Sequence, residues 1–207
     1  MGHAPQQISY SVHPGVEMIR NWIATLPEKT GRSLEEWVEH IRTHGPETET
    51  KRRDWLKVEH RLGTNTSGWL AERAEGKGGE EDEAASYLVA ASDWVEAMFS
   101  GKKASLRPLY ENLLSFGLSL GGDVKACPCK TIVPLYRNHV FAQLKPTANT
   151  RLDLGLALRD LPATGRLIDT GGFLKKDRIT HRIALATVDD IDDDVKTWLG
   201  AAYELDA

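Results

Sequence analysis

The chain has 207 residues, 41% of them hydrophobic and 27% charged, with a formal net charge of −4. Those are the proportions of an ordinary soluble globular protein, long enough for one large domain or two small ones. No apolar run approaches the roughly 18 residues a membrane span needs, Met1-Gly-His-Ala-Pro-Gln-Gln7 lacks the basic and apolar regions of a secretory signal, and the negative balance argues against broad non-specific nucleic-acid binding. A cytoplasmic protein without a membrane partner is expected.

Pro14 to Leu26 places Met18, Ile19, Trp22, Ile23 and Leu26 on one stripe, an amphipathic helix that opens on proline and should end at Pro27. Ser33 and Glu36 stand three apart ahead of Leu34, Trp37, Val38 and Ile41, the spacing of a capping box. Gly45-Pro46 closes that helix. A third helix is predicted over 48–62 with Gly63 as its stop, and a fourth over 67–75. Four of the six tryptophans fall in these helices and are expected to form their core.

Glu75-Gly-Lys-Gly-Gly-Glu-Glu-Asp-Glu83 interrupts the pattern with three glycines and a block of acids. It divides the chain into a helical module (1–75), a linker (76–83) and a second domain (84–207). In that domain, charge shifts from 14 basic against 8 acidic side chains over 84–188 to 1 against 7 over 189–207, a basic body with an acidic tail segment. Helices are predicted over 84–99 and from a Ser105 cap to Leu118. Strand patterns follow at 131–136 and 140–144, paired as a hairpin, and at 151–158 and 179–185. Pro134 marks the first as an edge strand or a bulge. A last helix starts after Thr187 and Asp190, which match a capping pattern. The fold class is therefore α+β: four short helices, then a mostly antiparallel sheet packed by helices.

The segments Thr30-Gly-Arg-Ser-Leu-Glu-Glu-Trp37 and Trp55-Leu-Lys-Val-Glu-His-Arg-Leu-Gly63 resemble a bacterial helical module of unknown function. Residues 94–203 resemble the small α+β domain that often follows it, through Phe99-x-Gly-Lys102, Leu106-Arg-Pro-Leu-Tyr110, Phe141-Ala142, Leu154-Gly-Leu156, His181-Arg182 and Asp192 to Trp198. That domain is remotely similar to frataxin-like iron chaperones. The resemblance implies an architecture and carries no settled activity.

No phosphate-binding glycine loop, nucleophile elbow or HExxH is present, so an enzyme ranks last. The leading expectation is a non-catalytic binding protein with no cofactor. Its small molecule or protein partner would occupy a cavity or interdomain groove lined by Trp37, Trp55, His60, Tyr110, Tyr136, Phe141, Lys145 and His181, because ligand pockets combine aromatic walls with a few polar groups. For His181 a core histidine bonded to backbone competes with that role. One alternative is nucleic-acid binding, through the helical module or the basic body. Another is metal binding by Glu36, His40 and His44, which share a helix face, or by the acidic run at 189–194. Cys127 and Cys129, one residue apart, are expected as thiols, since so short a spacing hardly closes an unstrained disulfide. The oligomeric state stays open.

Overall fold

The computed structural model describes residues 9–207. The fold is α+β, with seven α-helices and a six-stranded antiparallel sheet among the described residues. The described residues divide into two compact units, Val12–Tyr87 and Leu88–Ala207, with residues 9–11 joining the second.

The first unit is helical: α1 (Pro14–Thr30), α2 (Leu34–His44), α3 (Glu49–Val58) and α4 (Thr64–Ala74). His13 caps α1, its Nδ1 accepting the Gly15 N–H at 2.9 Å. Helix α1 runs through Pro27, where an end was expected. A proline near a helix end removes one backbone bond, and the chain stops instead at Gly31, whose φ of 80° suits a left-handed cap. The Ser33–Glu36 capping box forms in both directions, at 3.2 and 2.7 Å. Helix α3 ends four residues early, at Val58, because the chain turns through Arg61 at φ 53°. Gly63 then caps the start of α4 rather than the end of α3.

The core of this unit is Leu26, Trp37, Ile41, Leu56, Leu70, Ala71 and Ala74. Of the four tryptophans expected there, only Trp37 is fully buried; Trp55 and Trp69 pack on the core half-exposed, and Trp22 stacks on Trp69 at 4.9 Å. Segment 76–83 belongs to the helical unit. It holds a 3-10 turn at Gly79–Glu81, and the buried Arg73 grips both ends, donating to the Lys77 carbonyl at 3.2 Å and pairing with Asp82.

Helix α5 (Ala84–Met98) leads into the second unit. A 3-10 turn over Gly101–Leu106, which contains Ser105, precedes α6 (Arg107–Ser119). The sheet comprises β1 (Lys125–Ala126), β2 (Val133–Tyr136), β3 (Val140–Ala148), β4 (Arg151–Leu156), β5 (Ile168–Asp169) and β6 (His181–Leu185), in the order β1-β2-β3-β4-β6-β5. Alternation along β4 and β6 fixes the register. Leu152, Leu154 and Leu156 lie opposite Leu185, Ile183 and His181, and all six are buried. The other face is polar, where Asp153 pairs with Arg151 at 3.1 Å.

Pro134 sits in the second strand from the edge, beside a bulge at Leu135/Tyr136. It is tolerated because its outer neighbour β1 has only two residues, and its carbonyl still accepts the Cys127 N–H. Helices α6 and α7 (Asp193–Glu204) supply Leu113, Leu114, Val195 and Leu199 to the sheet's core. Gly117 lets α6 approach, since a Cβ there would lie 2.5 Å from Leu135 Cδ1.

Candidate functional site

In the helical unit, three of the eight expected lining residues meet. Helix α2 presents Trp37, His40 and His44 at helical spacing, α3 presents Trp55, and the turn after α3 brings His60 between them. Ring centroids separate Trp55 from His60 by 4.5 Å and Trp37 from His60 by 5.1 Å, both edge-on. His40 lies 5.5 Å from Trp55 and 4.9 Å from His44. The Nε2 atoms of His40 and His60 are 3.3 Å apart, within hydrogen-bond reach.

Trp37 is the buried floor of this cluster. Its Nε1–H donates to Thr30 Oγ1 at 2.7 Å, and the Arg32 guanidinium lies 4.8 Å from its ring centroid. Trp55, His40 and His60 are half-buried. Burial first, and Arg32 second, push both imidazoles below the ordinary histidine range; His60 and His44 add to the effect at His40, while Glu59 opposes it at His60. The rings are therefore neutral near pH 7, and with their Nε2 atoms bonded to each other, one Nδ1 remains as an acceptor and the other Nδ1–H as a donor beside the aromatic faces.

The other five expected residues are dispersed through the second unit. Tyr110 is buried, stacked on Phe99 at 4.5 Å, with its hydroxyl 3.0 Å from that of Tyr10. Phe141 is buried edge-on to Tyr203 at 5.7 Å. Tyr136 is half-buried on β2, its phenol pushed up to about 12 by burial and by the nearby Cys127 and Cys129. Lys145 is exposed on β3, across the ladder from Asp153. His181 is buried, with Nε2 donating to the Leu161 carbonyl at 2.8 Å and Nδ1 2.8 Å from Thr180 Oγ1. Those bonds give it the backbone-pinning role that the sequence offered as the competitor to a pocket role.

No three His, Cys, Asp or Glu side chains among the described residues are placed to hold a metal ion. Glu36 is spent on the Ser33 cap. In the acidic run, Asp190 accepts the Ala186 and Thr187 N–H groups at 2.7 and 2.9 Å, and Asp192 accepts the Val195 N–H at 3.1 Å. Those bonds hold both carboxyls below the usual carboxylate range and account for much of the run as helix-start chemistry. Cys127 and Cys129 are thiols.

Concave surfaces lie elsewhere. A shallow, open patch on the exposed face of α2 is lined by Leu34, Glu35, Val38, Glu39, Arg42 and Thr43. A pocket of about 120 Å³ is lined by the 164–167 loop, Ile183, Asp194 and Trp198. His40, which the sequence pointed to only as a metal ligand, joins the cluster because its helical spacing from Trp37 puts it on the same face of α2.

No curated protein and no solved structure matches the chain. A family model described as a domain of unknown function (DUF4287) matches residues 19–73, inside the helical unit. Another, described as a domain of unknown function (DUF5655), matches residues 95–206, more than half of the chain and nearly all of the sheet unit. The chain therefore belongs to the DUF5655 family, with a DUF4287 module ahead of its sheet domain.

Proposed function

We propose that the chain is a non-catalytic binding protein whose helical unit recognises a planar, polar small molecule at the Trp55–His60–His40 cluster. The packing of His40 and His60 between Trp55 and the buried Trp37 carries the reading. Aromatic faces beside neutral imidazoles supply stacking area together with directed donors and acceptors, a combination ligand sites use. The iron-delivery reading, which rests on the remote frataxin-like resemblance, gains nothing from the acidic run, where Asp190 and Asp192 serve as caps.

A thermal-shift screen with purine, pyrimidine and aromatic-acid metabolites tests the reading. A ligand at about one hundred times its Kd should stabilise the fold by about 2.7 kcal/mol. Trp55→Ala and His60→Ala should abolish that shift while leaving the second unit folded. Uniform lack of stabilisation, or a shift indifferent to both substitutions, would refute it.

A further inference from the structure

We propose that His40 and His60 form a metal site, chelating a divalent transition ion of the zinc class through their Nε2 atoms. The two nitrogens are 3.3 Å apart. That is long for a hydrogen bond from an N–H donor, whose usual range is roughly 2.7–3.2 Å. It is the spacing of two ligands on one tetrahedral ion: zinc–nitrogen bonds of about 2.0–2.1 Å at the tetrahedral angle set their nitrogens about 3.3–3.4 Å apart. The right angle of a square-planar or octahedral ion asks for about 2.8–3.0 Å, so the spacing favours zinc over copper or nickel. Magnesium and calcium take oxygen ligands and do not suit a pair of imidazoles.

The two rings come from different elements, and the same two tryptophans hold them. His40 lies 5.9 Å from Trp37 and 5.5 Å from Trp55; His60 lies 5.1 Å and 4.5 Å from the same rings. The imidazoles cross at 81° with centroids 5.0 Å apart. Ligands placed by packing before the ion arrives lose less freedom on binding it. Both rings are half-buried, so an ion can enter from solvent. Burial and Arg32 keep both neutral near pH 7, and protons then do not compete for the lone pairs. When the ion replaces the hydrogen bond, the hydrogen on the donating Nε2 moves to that ring's Nδ1. Each ring then ligates as a neutral imidazole, and no net proton is released. His44, one helical turn beyond His40, is not placed to join them as a third ligand, so water fills the remaining positions. Arg32 and a charged His44 oppose a cation here and Glu59 attracts one; affinity rests on the chelate. The site is independent of the small-molecule reading, because its affinity is measured with no organic ligand present.

Isothermal titration calorimetry of the full chain with zinc chloride at pH 7.5 tests the proposal. One ion should bind per chain. His40→Gln and His60→Gln keep hydrogen-bonding side chains but ligate zinc poorly, and each should weaken binding at least tenfold. Cobalt(II) in place of zinc should give the strong visible bands of a tetrahedral ion in the wild type and lose them in both variants. Nitrogen-15 spectra of the wild type's histidine rings need no variant: zinc should shift the Nε2 resonances of His40 and His60. A wild type that takes up no zinc, an affinity unchanged by both substitutions, weak octahedral cobalt bands, or unmoved Nε2 resonances would overturn it.

Discussion

The Nε2 atoms of His40 and His60 lie 3.3 Å apart, so one ring donates its Nε2–H and the other accepts. Sharing a proton in this way requires at least one imidazole to be neutral. The pair joins α2 to the turn after α3, and it sits against Trp55 and Trp37. Its protonation state is thereby tied to the packing of the helical unit.

Acid should loosen that unit. Burial, Arg32 and the neighbouring histidines hold His40 below the ordinary histidine range, and burial and Arg32 do the same at His60. The unfolded chain, with histidines near 6.5, then binds more protons than the folded one. Stability is complete above about pH 6.5 and falls as pH drops through the unfolded value toward the lower folded values. Urea unfolding followed by tryptophan fluorescence at pH 7.5 and 5.0 should show the lower midpoint in acid. His60→Gln, which keeps a donor but cannot titrate, should flatten the difference. An equal acid loss in the variant would move the cause to other groups.

His181 should matter for the fold rather than for binding. Its Nε2–H reaches the Leu161 carbonyl, and Thr180 Oγ1, beside Nδ1, also accepts the Leu158 N–H at 3.1 Å. That chain of bonds fastens the loop after β4 to β6. His181→Leu keeps the apolar bulk but strands the Leu161 carbonyl and the Thr180 hydroxyl, at about 2–4 kcal/mol. Equilibrium urea denaturation measures it, and a loss under about 1 kcal/mol would contradict the pinning role.

Two residues grouped together in the sequence reading should part company. Phe141 is completely buried against Tyr203, and truncation to alanine should cost about 3–5 kcal/mol. Lys145 is exposed on the same strand, and its alanine variant should fall within about 0.5 kcal/mol of wild type. Chemical denaturation of both proteins checks the contrast. Comparable losses would show that Lys145 carries packing or an interaction its exposure does not suggest.

Much of the fold was legible where a rule of local chemistry acted alone. Ser33 and Glu36 announced a helix start, and the alternation of Leu152, Leu154 and Leu156 announced a buried sheet face. Strands β1 and β5, at two residues each, carry no periodicity to read. Residues 76–83 look like a linker by composition, yet Arg73 ties them down through Asp82, a partner that glycine and acid content cannot reveal. The site followed the same division. Trp37, Trp55 and His60 come together because α2, α3 and the following turn are close in sequence. Tyr110, Phe141 and His181 were grouped by residue type, and the depth at which sheet and helices bury each was invisible.

The cysteine pair supplies a last test of burial acting on chemistry. Cys127 is completely buried, its backbone N–H bonded to the Pro134 carbonyl. Burial, reinforced by Cys129, pushes its thiol up to about 12. At pH 8 only about one molecule in ten thousand would hold the reactive thiolate at Cys127. Cys129 is half-buried, so a thiol reagent can approach it. Titration of the native protein at pH 8 with a chromogenic disulfide should therefore release close to one equivalent quickly, and a second only in denaturant. Mass spectrometry of the singly labelled protein should place the label on Cys129. Rapid modification of both thiols in the native state would mean that the segment after β1 opens readily, and that Cys127 is not shielded by the β1–β2 edge of the sheet.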